Sequence, residues 1–520
     1  MNHPKHVPSA RNCPPIFQPG RQPALIIQYF RDSFMQHIIQ DIRELFGTFS
    51  YEQITAIEKL PQSGSDRFYF RVRTAAGSYI ATYGKNIREN KTFLAFSDHF
   101  LKAGSPVPRI YAVNEAGTIY LQEDFGDASL LNKLESLGHG EEVYTLFQQS
   151  LKRLAEMQIK GDAGLDYSWC ITSREFGKQA ILSDLLYFKY YFLDTLGIPY
   201  DKEKLIDDFE ALATYLTYVD YKYFMFRDFQ SRNVMIHDNE VHFIDYQGGM
   251  KGALQYDVAS LLWQARAELS NEWKLSLLEY YMNCVEEILD TCIDRIRFVS
   301  QYNGYVMIRL LQVLGAYGFR GLFERKAQFL TSIPLALRNL KWFVEDKRIG
   351  IGLPEFERLL GLIVEEEIIS RFEPIRATDD TPLVVRINSF SYKNGIPPDL
   401  TNNGGGFVFD CRGVLNPGRQ AAFKTQTGRD KDVKDFLEQQ TRMPEFLNSV
   451  YTLADIAVED YIKRGFSDLM ISFGCTGGQH RSVYAADALA RHLKNKFNVK
   501  ISLSHVVQDG KNWINTLPNQ

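Results

Sequence analysis

The sequence predicts a two-lobed α+β fold followed by a smaller α/β domain. Three observations carry this reading. From about Tyr51 to Gln122 the pattern is strand-rich and broken by turns. Helical spacing dominates Glu141–Leu216, and dominates again from Tyr256 to about Ile369. Beyond a break at Arg371–Thr381, a buried-type strand, a glycine-containing loop and a helix follow one another over Leu469–Phe497.

Taken in order, the elements begin after a proline-containing basic stretch, Met1–Pro23. It has no apolar run, and it reads as a disordered leader or an extended start. Met35 is a plausible alternative start, because Ile38, Ile39, Ile42, Leu45 and Phe46 then follow at helical spacing. Glu58–Leu60, Phe68–Thr74, Ser78–Tyr83 and Thr118–Leu121 read as strands, and Asn90–Lys102 as a helix. In the smaller domain Pro382–Ile387, Gly406–Asp410, Leu469–Phe473 and Val499–Ser504 read as strands. Asp432–Gln439, Leu453–Arg464 and Arg481–Phe497 read as helices. The expected units are 1–34 (leader), 35–124 (small lobe), 125–371 (helical lobe), 372–382 (linker) and 383–520 (smaller domain).

A chain of 520 residues, 45% hydrophobic and 23% charged, exceeds the size of one core, so several domains are expected. A net charge of -4 gives no chain-wide basic field for nucleic acid. Cys13, Cys170, Cys284, Cys292, Cys411 and Cys475 form no CxxC pairs. That spacing suggests neither a zinc knuckle nor a disulfide framework, and a reducing, cytoplasmic setting fits. No stretch reads as a membrane span. Residues 304–319 come nearest and are interrupted by Arg309.

The chemistry concentrates in Phe226-Arg227-Asp228-Phe229-Gln230-Ser231-Arg232-Asn233, followed by His242-Phe243-Ile244-Asp245. A turn at His237-Asp238-Asn239-Glu240 folds the intervening residues into a hairpin that returns Asp245 towards Asn233. Phosphoryl transfer needs this set of oxygen donors. Asp228 is expected to orient and deprotonate a hydroxyl, and Asn233 and Asp245 to hold Mg2+ with ATP. Arg227 and Asp257 are expected to support the loop, with a helix N-cap as the alternative reading of Asp257.

These residues resemble the aminoglycoside phosphotransferase and choline kinase superfamily. The closer resemblance is to bacterial sugar kinases related to N-acetylmuramate/N-acetylglucosamine kinase, and it runs from roughly Gln53 to Val364. It implies an α+β protein-kinase-like bilobal fold. Leu60-Pro61-Gln62-Ser63-Gly64-Ser65-Asp66-Arg67-Phe68-Tyr69-Phe70-Arg71 is similar to the phosphate-covering hairpin, with Ser63, Gly64 and Ser65 on phosphate. Pro106-Val107-Pro108 and Leu121-Gln122-Glu123-Asp124-Phe125-Gly126-Asp127 resemble the approach to the adenine hinge and the hinge itself, around Glu123. Two positions depart from the pattern. Phe226 stands where many members have His, and Thr82 stands near the expected ATP-binding Lys. Lys85 or Arg71 is expected to supply the missing charge, and Glu89 to pair with it. Leu310–Gly321 resembles the sugar kinase subgroup. Arg309 and Arg320 there are expected in core-edge ion pairs, with contact to substrate or phosphate as the alternative.

A second motif, Gly474-Cys475-Thr476-Gly477-Gly478-Gln479-His480-Arg481-Ser482, joins strand to helix as a phosphate loop. It also matches the Cys-x5-Arg-Ser of cysteine phosphatases, although no general-acid loop accompanies it. With Ser389–Gly395, Phe409–Arg412, Leu415–Pro417 and Thr427–Asp430 it resembles the RapZ C-terminal domain. That resemblance implies an amino-sugar phosphate held by Asp410, Arg412, Thr427, Cys475, Thr476, Gly477, Gly478, His480, Arg481 and Ser482. RNA binding occurs in some members of that family. Ser504-His505-Val506-Val507 lacks the Arg-Asp that commonly follows this His, which counts against RNA here. The expected function is an ATP-dependent kinase of a sugar or amino sugar with a sugar-phosphate sensor. The alternative is a non-catalytic nucleotide- and sugar-phosphate-binding regulator.

Overall fold

The computed structural model describes residues 23–60, 67–324, 327–346, 349–373, 375–401 and 404–510. The leader expected over 1–34 lies outside the described residues up to position 22, and from Pro23 onwards the chain is helical. This helix, α1 (Pro23–Phe49), belongs to the small lobe. Its Ile38, Ile42, Leu45 and Phe46 pack on Phe70, Val72, Ala81, Ile119 and Leu121 of the neighbouring sheet.

That sheet contains β1 (Ala56–Lys59), β2 (Phe68–Arg73), β3 (Ser78–Tyr83), β4 (Ile110–Val113) and β5 (Ile119–Glu123) in the order β1-β2-β3-β5-β4, antiparallel throughout. The helix α2 (Ile87–Lys102) crosses between β3 and β4, with Asn86 capping its start by accepting the Glu89 amide. Its Phe93, Phe96 and Phe100 join the core of the helical lobe.

The helical lobe opens with α3 (Leu130–Leu137), α4 (Glu141–Ile159), α5 (Lys178–Tyr191) and α6 (Lys202–Thr217). Two short pairings follow. β6 (Lys222–Met225) pairs with β9 (Met250–Ala253), and β7 (Val234–His237) pairs with β8 (Glu240–Phe243). The β7–β8 turn places Asp238 and Asn239 at φ 51° and 62°, the left-handed pair that a two-residue hairpin turn requires. Then come α7 (Leu254–Leu262), α8 (Asn271–Leu289), α9 (Arg295–Tyr317), α10 (Ala327–Leu330), α11 (Ile333–Asp346), α12 (Pro354–Ile363) and α13 (Glu366–Ser370).

A π-helical turn, Gly318–Phe323, extends α9. Contrary to the reading of 304–319, the continuous helix 295–323 is long and apolar enough to cross a membrane by length and composition. Here 56% of that window is buried inside the protein, where α9 packs against α5 and α7.

The smaller domain contains β10 (Val384–Ser391), β11 (Phe407–Asp410), α14 (Lys431–Gln440), α15 (Met443–Arg464), β12 (Asp468–Cys475), α16 (Arg481–Phe497), β13 (Lys500–His505) and α17 (Val506–Asp509). Its sheet is parallel, ordered β11-β12-β10-β13, and α16 packs on it. The α15 helix starts ten residues before the expected Leu453, because Pro444 suits a first turn.

Candidate functional site

In the β6–β9 pair Met225 lies opposite Met250, so the segment leaving β6 and the segment entering β9 run side by side. Phe226, where the family pattern has His, is fully buried, with its ring edge-on to Phe229, Phe243 and Tyr246. The loop backbone is held by Asp257. Its Oδ2 accepts the Phe226 amide at 2.7 Å and its Oδ1 the Arg227 amide at 2.9 Å, and Gln158 donates a further bond at 2.8 Å. Burial pushes the Asp257 carboxyl up to about 7, against the pull of these donors. The N-cap reading of Asp257 is corrected: α7 begins at Leu254, so Asp257 lies inside its first turn and serves the loop.

Arg227 sits at φ 78°. Its Nη2 donates to both Asp184 oxygens at 3.0 and 2.9 Å, its Nη1 to the Tyr256 hydroxyl at 2.9 Å, and its guanidinium lies 4.4 Å above the Phe176 ring.

Asp228 and Asn233 meet directly. Asn233 Nδ2 donates to the Asp228 carbonyl at 2.9 Å, and the Asn233 carbonyl accepts the Ile244 amide at 3.1 Å, next to Asp245. Asp245, at φ 71°, receives Gln247 Nε2 on Oδ1 at 2.8 Å. The Asp228 carboxylate faces Gln230 at 2.5 Å, Arg232 at 3.3 Å and Arg309 at 3.4 Å. Arg309, read as a core-edge residue, is therefore a neighbour of the candidate base itself.

Among the described residues no cluster of three His, Cys, Asp or Glu side chains is placed to hold a metal ion. Asn233 and Asp245 nevertheless suit a hard divalent cation. The Asn233 amide nitrogen is already engaged, which leaves its Oδ1 as the donor, and Asp245 keeps Oδ2 beyond the Gln247 bond. Two chain oxygens completed by phosphate and water is a usual Mg2+ arrangement.

The small lobe corrects the expected cation. Arg71 pairs with Asp124 through Nε at 2.7 Å and Nη2 at 3.0 Å, and with Asp127 at 2.9 Å. It fixes the segment after β5 to the sheet and does not meet Glu89. Burial alone would raise the Asp124 carboxyl, but Arg71, Ser78 and the Gly126 amide hold it below the ordinary carboxylate value. The Lys85 ammonium lies 5.0 Å over the Phe34 ring.

Glu89 is paired with Arg67, a residue of the hairpin motif that had no role assigned in the reading above. Arg67 also bonds the Tyr69 hydroxyl, and Tyr69 feels the charges of Asp245 and Glu89. Tyr69 is opposite Thr82 in the β2–β3 register, and Arg67 lies two residues before Tyr69. Ser63, Gly64 and Ser65 lie outside the described residues. Glu123 ends β5, where its carboxylate accepts the Arg109 amide at 3.1 Å.

In the smaller domain the β12–α16 loop closes on Cys475. The Gly478 amide lies 3.1 Å from Sγ, and the Ser482 hydroxyl 3.2 Å. Burial alone would raise this thiol, but these bonds and the Arg481 charge bring it below the ordinary value. Arg481 is committed elsewhere: its Nη1 donates to the carbonyls of Cys411, Arg412 and Val414, and only Nη2 reaches towards Thr476, at 3.5 Å. A phosphatase needs that guanidinium on phosphate, so the geometry disfavours that chemistry, and it leaves Arg481 only its Nη2 for the sugar phosphate expected at this loop.

Thr427 is buried in a turn with Asp430, and His480 bonds the Phe423 carbonyl at 2.8 Å. Arg412 pairs with Asp410 and lies 3.9 Å over the Tyr392 ring, while Gly477 opens to free space. Behind the loop, Ser389, His505, Asp487 and Arg429 form a buried network. Its bonds are Ser389–His505 at 2.8 Å, His505–Asp487 at 3.0 Å and Arg429–Asp487 at 2.8 Å.

Comparison with known proteins gives two family matches. Residues 56–289 match the phosphotransferase enzyme family, and residues 383–508 match the RapZ C-terminal domain. A nucleotide-binding protein of Solibacter usitatus is 38% identical over 131 residues, which is 25% of this chain and 39% of that protein. One of Acetivibrio thermocellus is 35% identical over 197 residues, which is 33% of this chain and 66% of that protein. The chain spans about two fifths of the length of the first curated relatives it matches. Among solved structures, an amicoumacin kinase in complex with AMP-PNP, Ca2+ and Ami is 14% identical. It covers 62% of this chain and 96% of its own, with a TM-score of 0.44. A choline/ethanolamine kinase family protein of Mesorhizobium loti is also 14% identical. It covers 59% of this chain and 92% of its own, with a TM-score of 0.40. The chain thus carries a domain of the phosphotransferase enzyme family at residues 56–289 and a RapZ C-terminal domain at residues 383–508.

Proposed function

We propose that the chain transfers the γ-phosphoryl group of Mg-ATP to a hydroxyl of a sugar or amino sugar, in the cytoplasm, and binds a sugar phosphate at its RapZ C-terminal domain. The observation that carries the first part is that Asn233 bonds the Asp228 carbonyl and accepts the amide of Ile244, the neighbour of Asp245, on a loop pinned by Asp257. Asp228 takes the acceptor hydroxyl's proton as its oxygen bonds to the γ-phosphorus. The bond from that phosphorus to the β–γ bridging oxygen breaks, and ADP leaves with the electron pair. Arg67, held by Glu89, would supply the positive charge for the nucleotide phosphates. Asn233 and Asp245 would hold Mg2+, which would neutralise phosphate oxygens. The free thiols of Cys170, Cys284, Cys292, Cys411 and Cys475 suit a reducing compartment.

ADP release coupled to a panel of hexoses and hexosamines is the test. Turnover with at least one acceptor, reduced at least ~10³-fold in Asp228→Ala, is expected. A protein that binds Mg-ATP and turns over nothing in the panel sinks the reading. Thr82 at the usual Lys position favours a second reading, a nucleotide-dependent regulator that reports sugar phosphate or contacts RNA. Under that reading Mg-ATP binds tightly without transfer, and any RNA binding weakens steeply with salt.

A further inference from the structure

One face of the small-lobe sheet carries a polar atom that the protein leaves without a bond. Phe70, Val72, Ala81, Ile119 and Leu121 face α1. By strand alternation Tyr69, Arg71, Ile80, Thr82, Tyr120 and Gln122 face the opposite way. Tyr120 confirms this direction. It belongs to the core of the helical lobe and stacks on Phe93 at 5.3 Å, which stacks in turn at 5.1 Å on Tyr246, the residue after Asp245. This face therefore looks towards the helical lobe and the Asp245 segment.

Gln122 is 8% exposed, and its Oε1 is buried with no hydrogen-bond partner among the described residues. The polar groups around it are taken. All three guanidinium nitrogens of Arg71 go to Asp124 and Asp127, Ser78 also donates to Asp124, and the Glu123 carboxylate accepts the Arg109 amide. A buried acceptor left unpaired is costly, and in a native protein it calls for an explanation.

The register supplies one. Tyr69, Thr82 and Tyr120 lie side by side across β2, β3 and β5. Arg71, Ile80 and Gln122 form the next row, two residues or about 7 Å further along the strands. Arg67, the cation paired with Glu89, lies two residues before the first row. A nucleotide with its phosphates at Arg67 extends its base along this face towards Gln122 and the 123–127 segment. For ATP that base is adenine, whose 6-amino group is a hydrogen-bond donor, the partner that Oε1 lacks.

We infer that Gln122 reads the base: its Oε1 accepts the 6-amino group of adenine and makes the nucleotide site selective for adenine over 6-oxo purines. This rests on the phosphotransferase reading above and deepens it. A 6-oxo group sets an acceptor against an acceptor, and an unsubstituted C6 leaves the oxygen unpaired, so both bases are rejected.

The test is titration of the full chain, without any acceptor, with Mg-AMP-PNP, its inosine counterpart and its counterpart with a 6-unsubstituted purine. AMP-PNP is expected to bind at least ~10-fold more tightly than either analogue, and both ratios are expected to shrink at least ~5-fold in Gln122→Leu. Ratios unchanged in Gln122→Leu overturn the inference, because the selectivity then belongs to other groups. Equal binding of the three nucleotides also overturns it. So does preference for the inosine form, which would mean that the amide presents its donor end.

Gln122→Met keeps an unbranched side chain without the polar end, and it provides the second variant if Gln122→Leu does not fold. It is expected to hold the unliganded melting temperature, since Oε1 has no bond within the described protein to lose. A fall in that temperature with unchanged nucleotide ratios assigns Gln122 a purely structural role and overturns the inference. The two readings fail separately. Nucleotides sorted by Gln122 with no acceptor turned over sink phosphotransfer and keep the base-reading role. Turnover with the three nucleotides bound alike does the reverse, and a chain that binds none of them overturns both.

Discussion

Arg67 and Glu89 are 22 positions apart, yet they form the ion pair that phosphotransferases ordinarily build from a Lys one strand further on. Arg67 immediately precedes β2, and its guanidinium reaches Glu89 in the first turn of α2. Arg67→Gln is expected to raise the KM for ATP roughly tenfold or more, the effect of losing one charge-assisted contact worth about 1.4 kcal/mol. Lys85→Gln, with its ammonium over Phe34, is expected to leave it unchanged. Steady-state kinetics decide, and the reverse pattern would return the role to Lys85.

Asp257 gives a pH signature. Its carboxyl is raised from 3.8 to about 7, so the folded state holds a proton that the unfolded state has lost between those values. Stability from this group is complete below the unfolded value and is lost as pH rises through the folded one, by up to ~1.4 kcal/mol per pH unit. Melting curves of the wild type should fall relative to Asp257→Asn from pH 5 to 7, then run parallel. Curves that stay parallel throughout would show that burial does not perturb this carboxyl. The same variant is expected to lose about 10²-fold in kcat, since Asn cannot accept both loop amides and a small displacement of Asp228 is expensive.

Among the elements, β6 and β9 decide where the loop sits, and they approach closely. A Cβ at Gly249 would stand 2.4 Å from the Phe224 ring, itself packed on Phe96 and Phe100. Gly249→Ala is expected to destabilise the chain by about 1–3 kcal/mol and to lower kcat, because Phe224 and Met225 lead directly into the loop. Denaturant unfolding followed by tryptophan fluorescence measures the first, and an unchanged midpoint would contradict it. The β7–β8 hairpin was legible in the sequence because its turn residues and alternating strands are contiguous. The β6–β9 pair was not, since its two short strands are separated by the whole catalytic segment and neither shows a period by itself. β4 was missed for a similar reason, being four residues long and preceded by Pro106 and Pro108. The β12–α16 unit was legible because its strand, small-residue loop and helix are consecutive. The commitment of Arg481 to the 411–414 carbonyls was not, because that contact joins segments 67 to 70 positions apart.

On the scale of the whole molecule, the two candidate sites are built on separate cores. The Asp245 site rests on the helical lobe, and the Cys475–Ser482 loop on the parallel sheet. Ligands that bind only the folded chain stabilise it by mass action, by about 2.7 kcal/mol at a hundredfold excess over Kd. If the proposed ligands occupy these two sites, single changes should separate them. Asp245→Ala is expected to abolish stabilisation by Mg-AMP-PNP and to preserve that by glucosamine 6-phosphate. Gly477→Val is expected to do the opposite. Gly477 has no atom within contact range of an added Cβ, so the valine occupies the loop mouth without disturbing the fold. Both shifts are read on the full chain by thermal denaturation, with the unliganded melting temperature as the control for folding. Loss of both shifts in either variant would place the two ligands in one site. Where both sites fill, any effect of the sugar phosphate on nucleotide affinity must be returned as an equal effect of the nucleotide on sugar phosphate affinity. A fold-change in one affinity, measured by titration with and without the other ligand, therefore fixes the second and shows whether the RapZ C-terminal domain regulates the phosphotransferase domain.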